Sequence, residues 1–233
     1  MLSQSKYGSM KMFIMHTYII LTMLVGCNIM NKTSSENISF ESLCGLTHSE
    51  FESMNSEQMD QWMRKKHGSN ISVESSGDNQ NIVTTYRWVE TSSKGAAYRK
   101  DNHLLHISAT DIDSGPTFGQ VVSSLGKPDV VYRDVEAREK VLYTVGLDYP
   151  RLGVSVSTSD LANVADIVHE NGWAIQLKES MKVDSISCYT PHDSMEQVLI
   201  NAFLSTPSSV QIQLKHRTPW PGFGSWVSLD NLP

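Results

Sequence analysis

An α+β fold, in which helices lead into runs of antiparallel strands, is what this sequence predicts. Two observations carry the prediction. A cap-x-x-acid or cap-x-x-Gln spacing recurs at Thr47–Glu50, Asn55–Gln58, Thr117–Gln120 and Asp193–Glu196, and at that spacing two side chains satisfy each other's backbone N–H groups at a helix start. After the helix-ending glycines Gly68 and Gly126 come short runs of alternating apolar and polar residues broken by turn residues, the signature of strands covered on one face. The order occurs twice, which predicts a tandem of helix (or helix-loop-helix) plus antiparallel sheet units. These span 41–112 and 113–233, after a cleaved signal (1–26) and a flexible tether (27–40).

The leader comes first in the chain. Met12 to Gly26 (MFIMHTYIILTMLVG) is apolar, free of charge and preceded by Lys11, the n-region and h-region of a secretory signal. As a helix it spans roughly 22 Å, short of the ~30 Å hydrocarbon core of a bilayer. It ends in Leu24-Val25-Gly26-Cys27, which resembles the lipobox of bacterial lipoproteins. The resemblance covers the leader alone, at each of its four positions. It implies lipidation of Cys27 and attachment to a bacterial membrane, in a leaflet the motif does not specify. Two other readings stand beside it: a buried first helix, and a signal cleaved without lipid. The following stretch, NIMNKTSSENIS, is polar and lacks periodicity, as a tether does. Asn31, Asn37 and Asn70 begin glycosylation-type triplets, which a chain rich in Asn, Ser and Thr produces by chance.

In the first unit the cap at Thr47 predicts a short helix. The cap at Asn55 predicts a second, with Met59, Trp62 and Met63 on one face and an end near Gly68. Strands are expected at Asn70–Glu74, Asn81–Val89 and His103–Ala109, with a further one at Gly95–Lys100. In the second unit Phe118, Val121, Val122 and Leu125 form an apolar stripe that Gly126 and Pro128 terminate. Strands follow at Asp129–Arg133, Val141–Val145, Gly153–Ser157 and Trp173–Leu177. A strand at Val183–Tyr189, a helix capped at Asp193 and a strand at Val210–Lys215 complete the extension, expected to pack on the second unit.

Charge limits the partners. The chain carries a net −6, and since the first 26 residues hold Lys6 and Lys11 and no acid, the remainder sits at −8. An acidic body is not built to neutralise phosphates, so nucleic acid is not the expected ligand. With Cys27 lipidated, Cys44 and Cys188 remain, either as a disulfide or as two separately buried thiols.

No catalytic motif stands out. The chain lacks G-x-S-x-G, a phosphate-binding glycine loop, H-E-x-x-H and C-x-x-C, and no cofactor or metal is expected. His103 and His106, three apart in a strand, are expected on opposite faces. Asp111-Ile-Asp113-Ser-Gly115 starts like a calcium loop but lacks its later ligands and reads better as a turn. His169-Glu170 and His192-Asp193 are each half of an acid–base pair at most. Trp220, Phe223 and Trp226, spaced by Gly222 and Gly224, form either a lid on the core or a contact patch for a partner or glycan.

The helix Thr117–Pro128 (TFGQVVSSLGKP) and the strands after it resemble two families: the small lipoprotein of the outer-membrane barrel-assembly machinery, and the β-lactamase inhibitor proteins. The second folds as tandem helix-loop-helix units on antiparallel sheets. The resemblance implies a non-enzymatic binding or scaffolding role in the cell envelope, through the sheet face or loops, and carries over no functional residue. The alternative is an envelope hydrolase assembled from distant His and Asp or Glu residues.

Overall fold

Three short helices open the body, each on a reciprocal cap. Ser39 and Ser42 open α1 (Phe40–Cys44), Thr47 and Glu50 open α2 (His48–Ser53), and Asn55 and Gln58 open α3 (Ser56–His67). Helices this short are marginal alone. They hold by burying Phe40, Cys44, Phe51, Met59 and Met63. The first of them lies beyond the sequence expectation because its box closes with Ser42 rather than the usual Glu or Gln. The computed structural model describes residues 38–77, 82–101, 103–137, 141–162, 167–169 and 172–229. The leader, Cys27 and the tether up to residue 37 lie outside the described residues.

Nine of the described strands form one sheet. The first meander is β1 (Ile71–Ser76), β2 (Val83–Val89), β3 (Lys94–Lys100) and β4 (His103–Thr110); α4 (Phe118–Leu125) then leads to β5 (Val130–Ala137), β6 (Val141–Tyr149) and β7 (Val154–Ala162). β8 (Val168–His169) and β9 (Gly172–Gln176) precede β10 (Ser185–Tyr189). The nine-stranded order is β1-β2-β3-β4-β10-β7-β6-β5-β11, with β11 at Arg217–Pro219, and every pairing is antiparallel. β10 therefore sits between the last strands of the two meanders and joins them. Gly153 makes the close approach feasible: at φ 68 a Cβ there would come within 2.3 Å of the Tyr189 carbonyl, a position only glycine tolerates. A small second sheet pairs β9 with β8 and with β12 (Trp226–Ser228).

Alternation along the strands divides the large sheet into two faces. One face presents Tyr86, Trp88, Ala97, Ile107, Cys188, Val154, Val156, Val145, Leu147 and Val131, all buried. The helices α1–α4 and the small sheet contribute to the same core cluster. Within it a disulfide ties Cys44 of α1 to Cys188 of β10, with Cα atoms 5.9 Å apart and a sequence separation of 144.

The C-terminal segment departs from expectation. Val210–Lys215 is not a strand: it lies in a helix, α6 (Pro207–Lys215), preceded by α5 (Met195–Asn201). Val210, Ile212 and Leu214 suit a strand by alternation. However, Thr206 caps the segment through the Ser209 N–H and Pro207 occupies the first helical position, a start signal that outweighs three alternating residues. The cap of α5 also shifts by one: Ser194 accepts from the Gln197 N–H, while the Asp193 backbone N–H donates to Gln197 Oε1. The helical register makes a prediction, because Val210 is 1% exposed and Ile212 is 47% exposed. Val210→Ala is expected to cost ~2 kcal/mol for two buried methyl groups, and Ile212→Ala less than about 0.5 kcal/mol. Urea denaturation of both variants decides; equal losses would restore the strand.

Candidate functional site

The opposite face of the large sheet is polar. Cross-strand register places Ala96, Ser108, Ser187, Ser155 and Asp148 in one row, and Ser185, Ser157, Gly146 and Tyr132 in the next. Ser159 pairs with Thr144 beyond them. The cause lies in the chain: β7 reads Val-Ser-Val-Ser-Thr-Ser and β10 reads Ser-Ile-Ser-Cys-Tyr, apolar toward the core and hydroxyl away from it. The hydroxyls pair across strands, Ser108 with Ser187 at 3.0 Å and Thr144 with Ser159 at 2.8 Å. Such pairs knit neighbouring strands while leaving a low floor that a partner can approach closely.

One end of this face is roofed by the α5–α6 hairpin. Met195, Val198, Leu199, Ala202 and Val210 pack over Tyr189, flanked by Val130, Phe203 and Leu214. Tyr189 keeps its hydroxyl satisfied at 2.8 Å from Ser155 Oγ, and burial raises its pKa. Arg217 closes the edge. Its Nε donates to Asp148 at 2.8 Å and a second guanidinium N–H donates to the Gln213 carbonyl, while the group lies 4.9 Å above the Tyr132 ring. Burial and the nearby Asp134 push the Tyr132 hydroxyl up to about 12. Away from the hairpin the face reaches solvent: Ser185, Ser187, Ser157 and Thr144 are half-buried, and Ser159 and Leu161 are exposed.

The histidines correct the sequence reading. Tyr98 pairs with His106 and Lys100 with His103, with a register shift between Tyr98 and Arg99. The irregularity consumes Leu105, so His103 and His106 face the same side rather than opposite sides. His106 is buried, stacked 4.2 Å from the Tyr98 ring and 4.5 Å from Phe203, with Nδ1 2.8 Å from the Ala202 carbonyl. His103 lines an open cleft of about 280 Å³ with Glu52, Thr190, His192 and Asn201. No hydrogen bond joins His103 or His192 to Glu52 or Thr190 among the described residues. The close His–carboxylate pairs, His67–Glu90 at 2.7 Å and His216–Asp134 at 3.4 Å, lie elsewhere. Among the described residues, the paired hydroxyls of Ser108, Ser187, Thr144 and Ser159 hydrogen-bond to one another rather than to a histidine, the adjacent base a nucleophile needs.

Asp111 pairs with Lys94 at 2.6 Å, and the described residues hold no group of three or more His, Cys, Asp or Glu suited to a metal ion. Glu170 and the side chain of His169 lie outside the described residues. Trp220 and Phe223 meet edge to face at 5.0 Å and pack against the main core, brought back by Gly222 and Gly224 at φ 95 and 81. Trp226 instead is 45% exposed and edges a second cleft of about 230 Å³. The serine face is what sequence reasoning missed, although period-two serines opposite period-two valines in β7 signal it.

Among the described residues, no helix is long and apolar enough to cross a membrane. Compared with known protein families, curated proteins and solved structures, the chain matches none.

Proposed function

We propose that this chain is an exported lipoprotein, held to a bacterial membrane by lipid on Cys27, whose body binds a protein of the cell envelope through the open serine face. The observation that carries the binding role is that face itself. It is a sheet floor of short hydroxyl side chains, half-buried at the centre of nine strands, on the side opposite the face that forms the core. Small side chains lose little conformational freedom on contact and admit a partner's backbone or aromatic anchors. A flat surface of this kind suits a macromolecule better than a small molecule, which needs a concave site. The buried disulfide supports export, since such bonds persist in oxidising compartments.

Two measurements test the proposal. Metabolic labelling with palmitate is expected to mark the native protein and to vanish in Cys27→Ser; absence of label in the native protein sinks the anchor. For the face, Ser157→Arg with Ser187→Arg places two long cations on the floor. The expected result is loss, by tenfold or more, of an envelope protein captured by the native chain, at an unchanged melting temperature. Capture indifferent to both substitutions sinks the sheet face as the site.

A hydrolase reading rests on one observation, that Glu52, His103, Thr190 and His192 line a common cleft. Ester hydrolysis by purified protein that falls at least a hundredfold in His192→Ala would favour it; hydrolysis indifferent to His103 and His192 removes it.

A further inference from the structure

The two edges of the nine-stranded sheet are built differently. At one end β11 is three residues long and carries Pro219, two of the devices that keep an edge from pairing with another chain. At the other end β1 runs six residues, Ile71–Ser76, in unbroken register with β2. It contains no proline, lysine or bulge. Its one charge, Glu74, is engaged by Arg87 of β2 at 3.1 Å. Among the described residues no strand pairs with its outer side, so its outward N–H and C=O groups form a template for a further strand. The side chains agree. Ile71, Val73 and Ser75 stand on the core side, level with Trp88, Tyr86 and Thr84. Those three partners are nearly inaccessible, whereas Val73 is 48% exposed. The apolar layer therefore ends one strand short of the edge.

We propose that β1 pairs antiparallel with β1 of a second copy of this chain, extending the sheet across a two-fold axis perpendicular to it. The residues select the register. Facing residues must share a side of the sheet, which leaves two long symmetric registers, one pairing Ile71–Ser75 about Val73 and one pairing Ser72–Ser76 about Glu74. Centring on Glu74 opposes two carboxylates, which is destabilising. Centring on Val73 places the two valines side by side on the core side and sets Glu74 opposite Ser72 of the second copy. Ile71 then faces Ser75, whose hydroxyl is already satisfied by Thr84 at 3.1 Å. Each Glu74 keeps its own Arg87, so the strand is complementary to itself in charge. A six-residue edge is small beside the roughly 1,200–2,000 Å² of stable interfaces, so the dimer is reversible. The axis leaves both serine faces on one side of the joined sheet, but the inference uses none of their residues and stands apart from that reading.

Cysteine cross-linking of the purified full chain, under mild oxidation and read on a non-reducing gel, tests it. Opposed Cβ atoms of an antiparallel pair lie about 4.5–5.5 Å apart, close to disulfide distance. Val73→Cys is expected to give a linked dimer at least about fivefold more abundant than Ser72→Cys or Ser75→Cys gives alone, because only position 73 meets itself. Ser72→Cys mixed with Glu74→Cys, on chains with tags of different length, is expected to give a heterodimer. The native chain, with Cys44 and Cys188 bonded, sets the background. Sedimentation equilibrium supplies a second measurement. Val73→Lys, which opposes two cations on the axis, is expected to weaken self-association about tenfold or more at an unchanged melting temperature. If that variant fails to fold, the cross-linking map decides alone. Absence of a linked dimer in Val73→Cys overturns the inference. So does equal linking at all three positions, the mark of random collision, and so does self-association indifferent to Val73→Lys.

Discussion

Replacing Cys44 and Cys188 together by alanine is expected to lower the unfolding free energy by about 5 kcal/mol, the largest single effect this chain offers. The reason is the span of the bridge. With the two cysteines 144 positions apart, the cross-link removes the closure entropy of a very long loop from the unfolded chain, and the chain-entropy cost rises with the logarithm of that length. The bond also joins α1 to the central strand β10, so its loss frees the first helix to fray from the sheet. Both cysteines are nearly inaccessible, at 3% and 2% exposure, so a reductant has little direct access to the folded bond. Dithiothreitol at neutral pH is therefore expected to leave the bond intact in water and to cleave it in partially denaturing urea, with a lower urea midpoint afterwards. A double-alanine variant within about 1 kcal/mol of the native protein would show that the bridge constrains little, as would rapid reduction of the folded protein.

The sheet was legible in the chain to the extent that its strands alternate. The reciprocal caps at Thr47, Asn55 and Thr117 and the end signals at Gly68 and Gly126 stand where the residues place them, because caps and glycines act through local backbone chemistry. What alternation does not encode is strand order. Nothing in Ser185–Tyr189 says that it pairs with His106–Ala109 on one side and Val154–Ser157 on the other, since every half-buried antiparallel strand has the same period. The failures have separate causes. Three apolar residues at α6 alternate as in a strand although only Val210 and Leu214 share a face of the helix, and the discriminating signal, Thr206-Pro207, lies before them. One irregularity at Leu105 reversed the expected facing of His103 relative to His106. The tryptophans show the same limit: Trp220 and Phe223 pack while Trp226 stays at the surface, a division set by the turns at Gly222 and Gly224 and by pairing with β9.

Acid is expected to loosen the α5–α6 roof before the rest of the body, through His106. Its Nδ1 meets the Ala202 carbonyl at 2.8 Å, and a carbonyl only accepts, so Nδ1 carries the proton and Nε2 is the bare nitrogen. Protonating Nε2 places a full charge between Tyr98 and Phe203, rings that hydrate nothing. Burial accordingly pushes the imidazole down to about 4 from its ordinary 6.5, against the opposing pull of the Ala202 carbonyl. The unfolded chain takes up its proton near 6.5 and the folded one does so only near 4, so the unfolded state binds more protons between these values. Stability contributed by the neutral histidine is complete above about pH 6.5, declines as pH falls through that window and is lost below about 4. The span corresponds to roughly 3 kcal/mol. His106→Leu keeps the slot apolar and removes the titration. The difference in unfolding free energy between native and His106→Leu proteins is therefore expected to change by that amount between pH 7 and pH 4, with amide exchange in Met195–Asn201 accelerating first in the native protein. A difference that stays flat across this range, or exchange that rises uniformly over the sheet, would mean that the roof does not rest on an uncharged His106.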